Sequence, residues 1–104
     1  MRTDIVDKVR SAGVVGAGGA GFPTHVKLQF EVKRVLANGA SCEPLLCSDP
    51  YLMEHRAGQV LDGLNTVMDC TGSEKGTICL KSKHANALAA LRDKIAENGY
   101  DGRI

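Results

Sequence analysis

The sequence predicts an α/β fold in which an N-terminal helix and a glycine-rich loop precede a βαβα unit with an incomplete parallel sheet. Three observations lead there. Two short apolar runs, Arg34 to Asn38 and Gly76 to Lys81, are too brief for helices and end at turn or cap residues. A stretch with helical apolar spacing follows each of them. Ahead of the first run, five glycines occupy the nine positions from Gly13 to Gly21.

Taken in order, residues 4–12 read as a helix with Thr3 as its N-cap and Ile5, Val6 and Val9 on one face; Gly13 stops it. Phe22-Pro23-Thr24 opens a short helical turn carrying Val26, Lys27, Leu28 and Phe30, because proline is tolerated in a first turn. Arg34 to Asn38 is read as a buried strand ending at Asn38-Gly39. Asp49-Pro50 is a cap followed by a first-turn proline. The helix behind it places Val60, Leu61, Leu64 and Met68 on one face and Asp62 and Asp69 opposite, with a break expected near Gly58 and Gly72 as the C′ residue. Gly76 to Lys81 is the second strand. Ser82 is expected to cap a last helix with Ala85, Leu88, Leu91 and Ile95 as its apolar stripe and Gly99 at its end. A right-handed crossover between the strands makes them parallel.

A chain of 104 residues is one domain's worth or less, which excludes a two-domain enzyme. Two parallel strands alone leave both edges unpaired, an exposure proteins avoid. The expectation is therefore that more chain completes the sheet, or that the protein forms a homo-oligomer through its exposed edges. Thirteen Lys and Arg balance twelve Asp and Glu, with no basic face, so neither nucleic acid nor an anionic membrane has electrostatic support as a partner. No apolar run follows Met1-Arg2-Thr3-Asp4, and the uncharged stretch from Ser11 to Val26 is too short and too rich in glycine to insert in a bilayer. A cytoplasmic protein is expected.

Cys42, Cys47, Cys70 and Cys79 contain no Cys-x-x-Cys pair, so the close ligand spacing of zinc and iron–sulfur sites is missing. Buried structural thiols are the main reading, and a redox role for Cys42 with Cys47 the alternative. His25, His55 and His84 share no ligand spacing with one another or with a cysteine, and no nucleophile–His–Asp pattern supports a hydrolase.

The glycine loop carries the chemistry. Gly16-x-Gly18-x-x-Gly21 has the spacing of a dinucleotide fingerprint, in which glycines let the main chain approach a phosphate and the next helix aims its N–H groups at the anion. The fingerprint should follow a strand, yet Thr3 to Ala12 has helical period, so the unit is Rossmann-like without an ordinary Rossmann first turn. A Gly/Ala-rich linker or a close-packed crossing is the plainer alternative; against it, so many glycines are entropically expensive. Phe22 and Phe30, the chain's two phenylalanines, flank the next turn with Lys27 between them. Core filling and a ring platform for a flat heterocycle are both open to them. Asn38 and Glu43 fall just past the carboxyl end of the first strand, the edge where open α/β sheets bind ligands.

Together these motifs resemble one family: the FMN- and NADH-binding flavoprotein subunit of respiratory complex I and its relative, the C-type subunit of the Rnf electron-transport complex. The resemblance runs through Gly16-Ala17-Gly18-Gly19-Ala20-Gly21-Phe22-Pro23-Thr24, Lys27, Asn38, Cys42-Glu43-Pro44, Asp49 and Leu52-Met53, and covers nearly the whole chain. It implies that residues 1–104 are the N-terminal portion of an FMN/NAD-binding α/β domain. It implies FMN contacts at Gly16, Gly18, Gly19, Lys27 and Asn38, stacking of NADH on Phe22 and Phe30, and Glu43 beside the nicotinamide nucleotide. The implied chemistry is hydride transfer from NAD(P)H to FMN and one-electron passage to iron–sulfur centres outside this chain. Implied partners are the remaining half of the flavin domain and iron–sulfur proteins or subunits, which would hold the protein peripherally at the inner membrane face. Complex I proteins have Arg at the position of Ala17 and an acidic pair at Ala40-Ser41; the Rnf form is closer but has Glu at Ser41. Competing readings are a degenerate phosphate- or nucleotide-binding module and an oligomerising α/β structural unit.

Overall fold

A computed structural model of the chain describes residues 2–16, 21–39 and 48–104. Seven elements follow one another: α1 (Arg2–Ser11), α2 (Thr24–Lys27), β1 (Arg34–Asn38), α3 (Ser48–His55), α4 (Ala57–Thr71), β2 (Lys75–Cys79) and α5 (Ala85–Glu97). β1 and β2 pair in parallel, with Arg34 opposite Lys75 and Asn38 opposite Cys79. The α/β class and the βαβα order are those read from the sequence. Among the described residues no helix is long and apolar enough to cross a membrane.

Element ends differ from expectation where local geometry overrides a cap signal. α1 begins at Arg2, so Thr3 lies inside it and not at its N-cap; Gly13 follows at φ 70. α3 opens at Ser48, which puts Asp49 and Pro50 in its first turn, where the missing proline N–H has no helical acceptor to lose. The break before α4 falls at Arg56, whose φ of −130 and ψ of 35 leave the helical region, and not at Gly58. The ladder still spans it, since Arg56 N–H donates to Leu52 O at 2.7 Å and Val60 N–H to Arg56 O at 3.0 Å. Gly72 ends α4 in the left-handed region at φ 71, a backbone state in which a Cβ is strained. β2 starts one residue early and stops at Cys79. α5 starts at Ala85 with His84 at its N-cap, so Ser82 does not cap it but belongs to a turn closed by His84 N–H donating to Lys81 O.

Two apolar clusters hold the fold. Met53, Ala57 and Leu61 from α3 and α4 meet Ala87 and Leu91 of α5, with Ile78, Leu80, Ile95 and Ile104 packed around them. Ala85, expected on this stripe, is exposed, and Ala87 takes its place. The second cluster joins Val6 of α1, Leu28 after α2, and Cys70 near the end of α4. β2 approaches α4 closely because Gly76 has no side chain: a Cβ there would lie 2.6 Å from Met68 Sδ and 3.4 Å from Leu64 Cδ2. Buried Ser73 ties the strand entrances together, its single hydroxyl hydrogen shared between Lys33 O (3.0 Å) and Lys75 O (2.8 Å).

β1 is not the buried strand expected from its apolar sequence. Val35 and Ala37 are half-buried, while Arg34, Leu36 and Asn38 are exposed, Leu36 to 62%. The reason is layering: α4 packs on one face of the pair, where Ile78 reaches the cluster that α4 shares with α5, and no described element packs on the other. One sheet edge is partly closed, because Gly76 N–H donates to Arg103 O at 2.8 Å and Lys75 Nζ donates to Gly102 O.

Candidate functional site

The described flanks of the glycine stretch, residues 14–16 and 21–24, pair as a narrow hairpin stem. Val15 and Pro23 form an isolated antiparallel bridge, Gly16 N–H donates to Phe22 O (3.1 Å), and Thr24 N–H donates to Val14 O (3.1 Å). Gly21 N–H turns inward to Gly16 O at 3.2 Å, and Gly21 adopts φ 73, which a Cβ would strain. The amides of Gly16 and Gly21 are thus committed inside the loop and do not face a ligand. Gly18 and Gly19, the other predicted cradle residues, lie outside the described residues, as do Glu43, Cys42 and Cys47.

Behind the hairpin, α2 presents Lys27 to the ring of Phe22, with the ammonium 5.5 Å from the ring centroid, within cation–π reach. Both groups face solvent, Phe22 being 48% exposed, and Phe30 is 62% exposed. Core filling is therefore not the role of either phenylalanine within this chain. Buried Leu28 provides the fixed point, pinning the end of α2 against Val6 and Cys70. The structure brings Gly16, Phe22 and Lys27 together.

Asn38 sits elsewhere. It ends β1 beside Cys79, and the next amide, Gly39 N–H, donates to Cys79 O at 2.8 Å. Gly39 is buried, and a Cβ on it would lie 2.6 Å from Met53 Cε and 3.0 Å from Leu80 Cδ2. The strand exit therefore runs hard against the α3 side of the fold. α2 packs on α1, and β1 packs on α4 and β2; α2 and β1 do not pack on each other. The two predicted halves of the site are not in contact through these elements.

Sequence reasoning does not find exposed Cys79 as a neighbour of Asn38, because a cysteine without a spaced partner carries no motif. Nor does it find Tyr51 and His55 on α3, 4.4 Å apart by ring centroids; their i,i+4 aromatic–His spacing is the available signal. His55 also lies 3.7 Å from Glu54.

An α/β unit with a glycine hairpin set ahead of a parallel strand pair is the class this geometry defines. Within that class, the chain belongs to the family of the Nuo51 FMN-binding domain, whose model matches residues 9–104. It is 50% identical over 88 residues to a cobalamin reductase, PduS, of Salmonella typhimurium, a match covering 85% of this chain and 20% of that protein. It is 43% identical over 109 residues to the C-type subunit of the Na(+)-translocating ferredoxin:NAD(+) oxidoreductase complex of Acetobacterium woodii, covering 100% of this chain and 24% of the relative. The corresponding subunit of an ion-translocating oxidoreductase complex of Pseudomonas aeruginosa is 35% identical over 100 residues, covering 92% of this chain and 13% of that protein. The chain spans about a fifth to a quarter of the length of the first two.

The residues present suit FMN in one respect. An exposed cation stands over an exposed ring, a pairing that answers both a phosphate and a flat heterocycle.

Proposed function

We propose that the chain is the N-terminal portion of an FMN/NAD-binding α/β domain in a flavin-linked, NADH-oxidising electron-transfer module. The match of the FMN-binding family over residues 9–104 carries this reading. In it, Gly16, Gly18 and Gly19 let the main chain approach the FMN phosphate, Lys27 supplies a cation to it, and Asn38 offers donor and acceptor to a ring edge. Phe22 and Phe30 stack with NADH, and Glu43 accepts from its ribose hydroxyls or amide. Held by these residues, FMN would supply the chemistry of taking up a hydride from NAD(P)H and passing electrons singly toward iron–sulfur centres of partner proteins. The chain's own share is to orient the two rings and exclude water.

The separation of Asn38 from α2 supports a site completed by the remaining half of the domain, which the much longer relatives have room for. We place the protein in the cytoplasm, held at the inner membrane face through partner subunits; that relatives carry names of ion-translocating complexes supports this. A second reading, a degenerate phosphate-binding module without flavin, is favoured by one observation: Gly16 and Gly21 spend their N–H groups inside the hairpin.

Equilibrium dialysis against FMN separates them. The 104-residue chain should retain little FMN, and the polypeptide extended to the length of its relatives should retain it stoichiometrically. An extended polypeptide that retains none would favour the second reading.

A further inference from the structure

The Lys27 ammonium stands 5.5 Å from the centroid of the Phe22 ring. Stacked rings keep their centroids about 4.5–7 Å apart, so the ammonium occupies the interval that a stacking heterocycle needs. Lys27 is itself exposed and Phe22 is 48% exposed, so the face it covers is the one turned to solvent. Phosphate and heterocycle therefore make opposing demands on one side chain. An anion wants the ammonium for itself; a flat ring wants it off Phe22. The backbone beneath is fixed while the lysine stem is free to swing. Pro23 (φ −64, ψ 120) turns the chain from the hairpin stem into α2, Leu28 N–H donates to Thr24 O at 3.2 Å, and buried Leu28 anchors that turn on Val6 and Cys70. Among the described residues Lys27 forms no ion pair, so the ring is what holds its charge. An exposed cation–π contact is weaker than a charge-assisted hydrogen bond to phosphate, and an anion wins the ammonium.

We propose that Lys27 is a latch on the Phe22 platform: it rests on the ring until a phosphate draws it away, and only then is the ring face open to stacking. The inference rests on the proposed assignment of Lys27 to the FMN phosphate and of Phe22 to NADH, and adds an order to it, phosphate first and nucleotide second. The coupling is reciprocal by linkage. A heterocycle that displaces the ammonium leaves it free for the anion, so each ligand strengthens the other by the same factor. That factor is bounded by the contact that must break, about two- to fivefold for an exposed cation–π pair. A module without its flavin thereby holds the hydride donor less well than one loaded with it.

The test uses the 104-residue chain with two probes, inorganic phosphate and adenosine, a flat heterocycle that carries no phosphate of its own. NMR follows the ring protons of Phe22 and the ammonium of Lys27. Phosphate should move the Phe22 ring signals to the positions they hold in Lys27→Met, and should leave that variant's ring unmoved. Adenosine should bind the wild-type chain about two- to fivefold more tightly with phosphate than without it. Lys27→Met should bind adenosine without phosphate as tightly as wild type does with it. Lys27→Arg should keep the phosphate dependence, because a guanidinium also rests on aromatic faces and pairs with phosphate. Both side chains lie outside the buried clusters, so these variants keep the fold. Ring signals that phosphate leaves in place, or that sodium chloride of equal ionic strength moves as far, overturn the proposal. So does adenosine binding that is absent or indifferent to phosphate in the wild-type chain. FMN enters none of these measurements. If phosphate frees the ring while the extended polypeptide retains no FMN, the latch stands and the flavin assignment falls; if FMN is retained and phosphate leaves the ring unmoved, the latch alone falls.

Discussion

Tyr100 donates its phenolic hydrogen to Asp62 Oδ1 at 2.7 Å, tying the segment after α5 to the middle of α4. A few residues further along that segment, Arg103 pairs with Asp69 at 2.6 Å, so two carboxylates on one helix hold the same strap. These are the aspartates that the sequence places opposite the apolar stripe of α4. The face opposite the apolar stripe is a docking line for the chain's last residues.

The strap makes a pH prediction. The hydrogen bond to ionised Asp62, with its nearby negative charge, raises the Tyr100 pKa above its ordinary value. A tyrosine whose native pKa exceeds its unfolded value of about 10 binds its proton more tightly when folded. Its stabilising contribution is therefore complete below about pH 10 and vanishes as pH rises through the raised native value. In a Tyr51→Phe background, ultraviolet absorbance should show Tyr100 ionising later than free tyrosine, and Asp62→Ala should bring it back. A titration that Asp62→Ala leaves unmoved would remove the carboxylate from the explanation.

Ser73 predicts a stability effect out of proportion to its size. Its buried hydroxyl is shared by the carbonyls that precede β1 and open β2. Ser73→Ala should lower unfolding free energy by about 1–2 kcal/mol, since it leaves carbonyl groups at a part-buried junction short of a donor. Urea denaturation should show an earlier midpoint at unchanged slope. A loss within about 0.5 kcal/mol, the range of ordinary surface substitutions, would mean water replaces the hydroxyl.

Gly76 and Met68 should behave as a coupled pair. Gly76→Ala forces a Cβ to 2.6 Å from the fully buried Met68 Sδ, an overpacking expected to cost about 1–3 kcal/mol. Met68→Ala should cost about 2–5 kcal/mol through the cavity it leaves. The double variant should be less destabilised than the two losses added, with a coupling of about 0.5 kcal/mol or more, because the new methyl enters the space the thioether vacates. Strict additivity in denaturant unfolding would show that the strand shifts away from α4 and does not press on it.

Much of this fold is legible in the sequence because its signals are local. The short apolar run Val35 to Ala37 before Asn38-Gly39 marks β1 from Arg34 to Asn38, and Leu61, Leu64 and Met68 at helical spacing mark the α4 stripe. What the sequence misplaces depends on neighbours. Ser82 looks like a cap, but the turn from Lys81 to His84 closes first. β1 reads as buried because its composition is apolar, yet whether Leu36 is covered depends on a layer that composition does not encode. The glycine spacing marks a special loop, while a hairpin that no motif describes sets the direction of the Gly16 and Gly21 amides. Gly18, Gly19 and Glu43 stand as proposals, outside the described residues.

The pair formed by Lys27 and Phe22 separates the two ligands of the proposed function. The ammonium carries the charge that a phosphate needs, and the ring carries the face that a nicotinamide needs; they are 5.5 Å apart and both solvent-facing. In the polypeptide extended to the length of its relatives, Lys27→Ala should weaken FMN retention about tenfold or more, as expected from a charged hydrogen bond of about 1.5–3 kcal/mol. Lys27→Arg should restore most of it, since the charge and not the stem is needed. Phe22→Ala should leave FMN content near normal and raise the KM for NADH, with Phe22→Tyr preserving the platform. Folding does not confuse the comparison, because neither side chain is part of a buried cluster. If Phe22→Ala releases FMN while Lys27→Ala spares it, the assignment of the two residues is inverted, and the glycine hairpin would then hold the nicotinamide nucleotide.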